Sequence, residues 1–247
     1  MPKLTPFSYH EVIEACAQPG CPICRWANTS VDRYIKGLIY DSVNDPPTRE
    51  KIRTSMGFCY LHTWMLPEAG DSAPLGLSII YRDLVNTLSK GLDQVTFSKN
   101  KRSFLKQFGA SANAEKPAPN KSVHQHLVSD KGCPACERYE EMERFAVTAV
   151  IQAISENDDK MLAALEQADS LCLPHLRQTL NKAPNQAALD ALIAIQQKKL
   201  LAIRDELDEF IRKSDYRFQH EGFDSEADAW LRAMNLISGP PPKNLYQ

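Results

Sequence analysis

Cysteine and histidine are the residues of this chain whose types and spacing could do chemistry, and that chemistry is metal binding. Gly20-Cys21-Pro22-Ile23-Cys24 is followed downstream by Phe58-Cys59-Tyr60-Leu61-His62. The first phrase returns 112 residues later as Gly132-Cys133-Pro134-Ala135-Cys136, followed in turn by Leu171-Cys172-Leu173-Pro174-His175. Each half therefore reads Cys-x2-Cys and then Cys-x2-His, with intervening gaps of 34 and 35 residues. Six of the seven cysteines and two of the six histidines fall into this pattern. Cysteine is often simply a buried small residue, which would account for one such pair but not for two parallel sets.

Two cysteines three positions apart can turn both sulfurs to one ion where a turn enters a helix. A second knuckle then completes a tetrahedron, and Cys3His is among the usual structural zinc sets. The partial positive charge of a helix N-terminus helps the thiols ionise. Pro22 and Pro134 suit a first helical turn, where the missing N–H costs nothing. The expected cofactor is two zinc ions. Pairing by neighbourhood in sequence joins Cys21, Cys24, Cys59 and His62 at one ion and Cys133, Cys136, Cys172 and His175 at the other. The alternative joins each Cys-x2-Cys to the knuckle of the other half.

An iron–sulfur cluster on the same ligands is the rival to zinc. Cys16-x4-Cys21-x2-Cys24, with Cys59 later, opens like the plant-type ferredoxin spacing. The second half has Val128 where the first has Cys16, so Cys16 reads as a buried small residue on the first helix rather than a ligand.

The elements that must position these residues are helical. Residues 7–17 lead to the first Cys-x2-Cys, and Trp26, Val31, Tyr34 and Leu38 recur at helical spacing after it. Asp45-Pro46-Pro47 breaks that helix, and a short helix from Thr48 precedes the Cys59/His62 knuckle. Leu77, Ile80, Tyr81, Leu84, Leu88, Leu92 and Val95 form a long apolar stripe. The second half repeats the plan, ending in a stripe of Leu189, Leu192, Ile193, Leu200, Ile203, Leu207 and Phe210. Asn157-Asp158-Asp159 marks a turn and a cap. Ser225-x-x-Asp228 resembles a capping box opening a last helix. No alternating run bounded by turns suggests a strand. The expected class is all-α, two duplicated helical halves each built around a Cys3His site. The expected bounds are 1–108, a linker at 109–121, and 122–247 with a C-terminal helical extension.

The chain has 247 residues, a net charge of −2 and a pI near 6.3. That balance argues against a chain that coats nucleic acid. No apolar run resembles a signal peptide or reaches the length of a membrane span. Paired Cys-x2-Cys with histidine in a chain of this size reads as a cytosolic metal protein rather than a disulfide-stapled secreted one.

Other polar residues carry less. His124 and His126 form an HxH pair that can bind metal but more often is solvated, and His10 reads as a surface histidine. The stretch 214–224, with Tyr216, Arg217, His220 and Glu221, could form a pocket wall. Its plainer reading is a helix end wedged on the core by Tyr216, Phe218 and Phe223. No phosphate-binding glycine loop, nucleophile elbow or HExxH motif occurs.

The paired CPxC and CxxH phrases, with the closing Asp215-Tyr216-Arg217, His220-Glu221-Gly222 and Trp230, resemble a bacterial helical domain family of unknown function. Phe58-Cys59 and His62 match its FCxxH knuckle fully, whereas the second knuckle has Leu171 for phenylalanine and an added Pro174. The resemblance implies metal sites and a helical fold, and no reaction. The expected function is a non-enzymatic interaction or regulatory factor with a protein partner, because four protein ligands leave no open position for substrate. A redox or sensor protein, and an enzyme with a cleft between the halves, are the alternatives.

Overall fold

The computed structural model describes residues 6–70, 73–96 and 121–240. Eleven α-helices and two short 3-10 turns make up the regular structure among the described residues, with no strand. The helices are α1 (Pro6–Cys16), α2 (Pro22–Asp41), α3 (Pro46–Thr54), α4 (Tyr60–Met65), α5 (Ala73–Asp93) and α6 (Lys121–Leu127), then α7 (Pro134–Ser155), α8 (Asp159–Gln167), α9 (Leu173–Asn181), α10 (Gln186–Lys213) and α11 (Ala229–Ser238). The order of a Cys-x2-Cys helix, a short helix, a Cys-x2-His helix and a long helix occurs as α2–α5 and again as α7–α10. Of the expected linker at 109–121, all but Lys121 lies outside the described residues.

The chain forms two compact units, and each draws on both sequence halves. Unit 1 holds the chain up to Tyr34 and again from Arg138; unit 2 is Ile35–Glu137. Both boundaries fall inside helices, α2 and α7.

In unit 1 the core gathers Val12 of α1, Ile23 and Ala27 of α2, Val147 and Val150 of α7, Met161 and Leu165 of α8, and Leu192 of α10. Asp158 secures two elements at once. Its carboxylate accepts from the Met161 N–H at 2.9 Å, capping α8, and from the Tyr9 hydroxyl at 2.7 Å, which ties α1 to that cap. In unit 2, Ile35, Leu38, Ile39, Val43, Ile52, Leu66, Ile80 and Leu84 are buried. Asp45 caps α3 through the Thr48 N–H at 2.9 Å, with Pro46 and Pro47 in its first turn, so the residues expected to break α2 also start the next helix. Arg49 on α3 forms an ion pair with Asp83 on α5.

The long stripes are core only toward their N-terminal ends. On α5, Ile80 and Leu84 are buried but Leu88 and Leu92 are exposed; on α10, Leu192 is buried while Ile193 and Leu200 are exposed. The capping box at Ser225 does not form. Asp228 accepts no capping bond from the backbone; instead the Arg232 guanidinium binds the Asp228 carboxylate and the Ser225 carbonyl.

Candidate metal centres

All eight sequence-derived ligands sit on helix N-termini in the same way. The carbonyls of Cys21, Cys59, Cys133 and Cys172 accept the first intrahelical bond of α2, α4, α7 and α9, from Arg25, Thr63, Glu137 and Leu176 at 2.8–3.0 Å. Each of these cysteines thus stands at the N-cap, and the second ligand of each motif (Cys24, His62, Cys136, His175) stands three residues on, in the first turn. The Cys-x2 spacing is the spacing of N-cap to N3. This aims both side chains off one helix end, where the dipole favours thiolate over thiol.

The ligands meet in crossed pairs. Cys21, Cys24, Cys172 and His175 gather in unit 1, and Cys59, His62, Cys133 and Cys136 in unit 2, each set with its donor atoms within 4.8 Å of one another. The pairing expected from sequence neighbourhood is therefore incorrect: Cys59 and His62 do not join Cys21 and Cys24, and Cys172 and His175 do not join Cys133 and Cys136. The reason is helix length. The 20 residues of α2 carry the chain about 30 Å from the end that holds Cys21 and Cys24. The nine residues of α3 rise only about 14 Å, so that helix does not by itself retrace α2. The 22 residues of α7 and nine of α8 impose the same limit on the second half.

In the unit 1 centre, His175 Nδ1 lies 3.4 Å from Cys21 Sγ, 3.2 Å from Cys24 Sγ and 3.1 Å from Cys172 Sγ, and Cys24 and Cys172 sulfurs are 3.6 Å apart. A tetrahedral ion with bonds of about 2.3 Å to sulfur and about 2.0 Å to nitrogen spaces its donors by about 3.5–3.8 Å, so the set is the size of one coordination shell. All four residues are buried, at 1–4 % exposure. Neighbours hold the shell. With Nδ1 turned to the sulfurs, His175 Nε2 donates to Glu143 Oε1 at 2.8 Å, and Gln178 donates to the same oxygen at 2.9 Å. A carboxylate on the outer nitrogen fixes the tautomer and orientation of a ligating histidine. Gly239, just past α11, has φ +85, and a methyl group built there would stand 3.5 Å from Cys24 Sγ and 3.8 Å from Cys172 Sγ. Gly20, with φ +89, donates its N–H to Asp169 at 2.6 Å, which ties the first phrase to the loop before Cys172.

Protonation reflects the crowding. Hydrogen bonds from Cys172 and Cys24 hold the Cys21 thiol far below its ordinary range, while hydrogen bonds with Cys172 and Cys21, and then burial, push Cys24 far above it. Burial lowers the His175 pKa, but its contacts with Cys172 and Cys21 outweigh that and carry it up to about 10.

The unit 2 centre repeats the donor geometry with a thinner surround. His62 Nδ1 lies 3.2 Å from Cys59 Sγ, 3.5 Å from Cys133 Sγ and 3.4 Å from Cys136 Sγ, and Cys59 and Cys136 sulfurs are 3.6 Å apart. His62 is buried, but all three cysteines are partly exposed. Among the described residues no hydrogen bond reaches the Nε2 of His62, and burial alone lowers its pKa. Burial first, then the neighbouring Cys133 and Cys59, pushes Cys136 up to about 12.

Cys16 joins neither set. It is buried in the unit 1 core, and burial raises its thiol to about 11. His10 is exposed beside Tyr9. The HxH pair cannot be placed as a pair, because the His124 side chain lies outside the described residues. In and beside the 214–224 stretch, the charged groups engage one another: Arg212 with Glu209 and Glu221, Arg217 with Asp215, and Lys213 with Glu226 at 2.7 Å. Phe223 stacks on Phe210 and Arg212 lies over Phe218, but Tyr216 is 80 % exposed, so it is not the wedge expected of it. Sequence reading missed Glu143, one of four glutamates between Glu137 and Glu143 on α7 with nothing local to single it out, and missed Gly239.

Fold and sites together define a class: an all-helical protein with two four-residue cysteine–histidine clusters able to hold metal ions, each built from two helix N-termini. Residues 10–244 match DUF6062, a family of unknown function, and the chain belongs to that family. It is also 26 % identical over 230 residues to an uncharacterized 23.9 kDa protein encoded in the xynA 3′ region of Caldicellulosiruptor sp. (strain Rt8B.4), covering 92 % of this chain and 99 % of that one. No solved structure matches it. Among the described residues no helix is long and apolar enough to cross a membrane.

Proposed function

We propose that the protein is a cytosolic helical module fastened by two zinc ions, one at Cys21, Cys24, Cys172 and His175 and one at Cys59, His62, Cys133 and Cys136, and that it acts as an interaction or regulatory factor rather than an enzyme. The observation that carries this reading is the convergence of eight donors into two sets of four, each within the span of one tetrahedral ion. That span favours a single ion over an iron–sulfur cluster, whose several irons spread their terminal ligands farther apart. Four protein ligands at each ion leave no position for a substrate, which supports a structural role. An apolar row on α11, Trp230, Met234 and Ile237 at 46–56 % exposure and helical spacing, supports docking to a protein partner. The test is metal analysis with a visible spectrum on anaerobically purified protein. The expected result is colourless protein with two zinc ions per chain. Brown protein containing iron and sulfide would replace zinc with the cluster reading, and protein without metal would remove both.

A further inference from the structure

The two centres share ligand types but not shielding, and from that difference we infer that the unit 2 centre is exchangeable, passing its ion to and from small thiol or chelating ligands, while the unit 1 centre keeps its ion. The inference deepens the metal-binding reading and rests on it.

Exchange at a four-coordinate ion needs an entering ligand to approach it. The entering thiol gives up its proton as its sulfur bonds to the ion, and a departing cysteine sulfur takes one up, so the ion changes hands without a change in oxidation state. At the unit 1 centre two small surface pockets reach the Cys21 side, one beside Asp169 and Lys199 and one beside Arg25 and Pro240, but the ligands themselves show almost no surface. The four ligands are at most 4 % exposed, Gly239 lies against two of the sulfurs, and Glu143 with Gln178 holds the imidazole in place. At the unit 2 centre Cys59, Cys133 and Cys136 each present surface to solvent, and His62 has only its sulfur-facing nitrogen engaged among the described residues. Beside Cys59, Tyr60 stands 85 % exposed. Outer-shell partners of a ligating histidine typically account for about 10–100-fold in metal affinity, and among the described residues only the unit 1 histidine has them.

The test uses the full chain loaded with two equivalents of zinc. Challenge with excess 4-(2-pyridylazo)resorcinol should release one equivalent at least about 10-fold faster than the other, the lower end of the outer-shell effect. In parallel, brief N-ethylmaleimide treatment of the loaded protein, followed by peptide mass mapping, assigns the phases without any variant that might misfold. Cys59, Cys133 and Cys136 should be modified in step with the fast release, and Cys21, Cys24 and Cys172 should stay unmodified. Release of both ions in one phase overturns the inference while leaving two metal centres, as does modification of the unit 1 cysteines first. A chain that takes up no zinc overturns the metal reading and this inference with it.

Discussion

The unit 1 and unit 2 centres are nearly the same experiment performed twice. Both place three sulfurs and an Nδ1 on the ends of two helices, with donor separations of 3.1–3.6 Å in one and 3.2–3.6 Å in the other. What differs is the shell outside the ligands. In unit 1 a glutamate, a glutamine and the turn after α11 close around the site, and a core of five helices lies beneath it. In unit 2 the cysteines reach the surface, and among the described residues the histidine bonds to no carboxylate. Ligand identity therefore decides whether an ion can bind, and the surround decides how firmly it stays and how much of the fold depends on it.

The largest contrast should appear in stability. Structural zinc contributes roughly 10–16 kcal/mol of binding in finger peptides, realised largely as folding; under the proposed zinc reading a hydrophobic core shares the task here, so the loss is partial. Cys172→Ser removes a buried ligand and leaves polar groups stranded in the core, and should cost more than about 4 kcal/mol. Cys59→Ser removes a partly exposed ligand and should cost about 1–3 kcal/mol. Thermal melts of the zinc-loaded variants check this, and equal losses would erase the distinction between the centres.

A smaller effect should separate the ligands from their support. Glu143→Gln keeps size and one acceptor but removes the charge behind His175. It should weaken zinc at the unit 1 centre by about 10–100-fold and leave the unit 2 centre unchanged, read by titration against a competing chelator. Loss at both centres would show that Glu143 acts through the fold as a whole.

Why the candidate ligands were legible in the sequence and their pairing and surround were not follows from range. Cys-x2-Cys and Cys-x2-His are local geometry, N-cap to N3, so the eight ligands and their helices can be read from spacing alone. Which pair meets which depends on where 20- and 22-residue helices deliver the chain, and gaps of 34 and 35 residues are compatible with either pairing. Glu143 and Gly239 act across 32 residues and more than 60 respectively, and no local pattern marks either. The stripes on α5 and α10 misled in the opposite direction, because periodicity reports an apolar face and not how far along the helix that face is covered.

The closing segment tests whether the cover over unit 1 matters. Lys213 and Glu226, 8 % and 4 % exposed, pair at 2.7 Å just before α11, whose end carries Gly239 to the sulfurs. The hydrogen bond from Lys213 holds the Glu226 carboxyl at about 2, below its ordinary 4.5. A depressed folded-state value contributes stability that is fully present above the unfolded value and is lost as pH falls through the folded one. Glu226→Gln should therefore melt below wild type at neutral pH, with the gap closing between pH 4.5 and 2. A gap independent of pH would mean that the pair's charge contributes nothing.

Cys16 supplies the smallest expected effect and the sharpest control on the comparison. It lies in unit 1 beside Cys21 in sequence and core, yet its sulfur is outside the four-donor set. Burial raises its thiol to about 11, so at neutral pH it is a protonated, packed side chain rather than a ligand. Cys16→Ser exchanges sulfur for a hydroxyl in an apolar site and should cost on the order of 1 kcal/mol, with zinc content and chelator release unchanged. Set against Cys172→Ser, it removes one sulfur from the same unit at the same depth, so depth cancels and only ligation remains. If Cys16→Ser also shed an ion or bleached a chromophore, Cys16 would be a ligand. The closed Cys3His shell of unit 1 would then give way to a larger centre with the ferredoxin-like spacing of Cys16, Cys21 and Cys24.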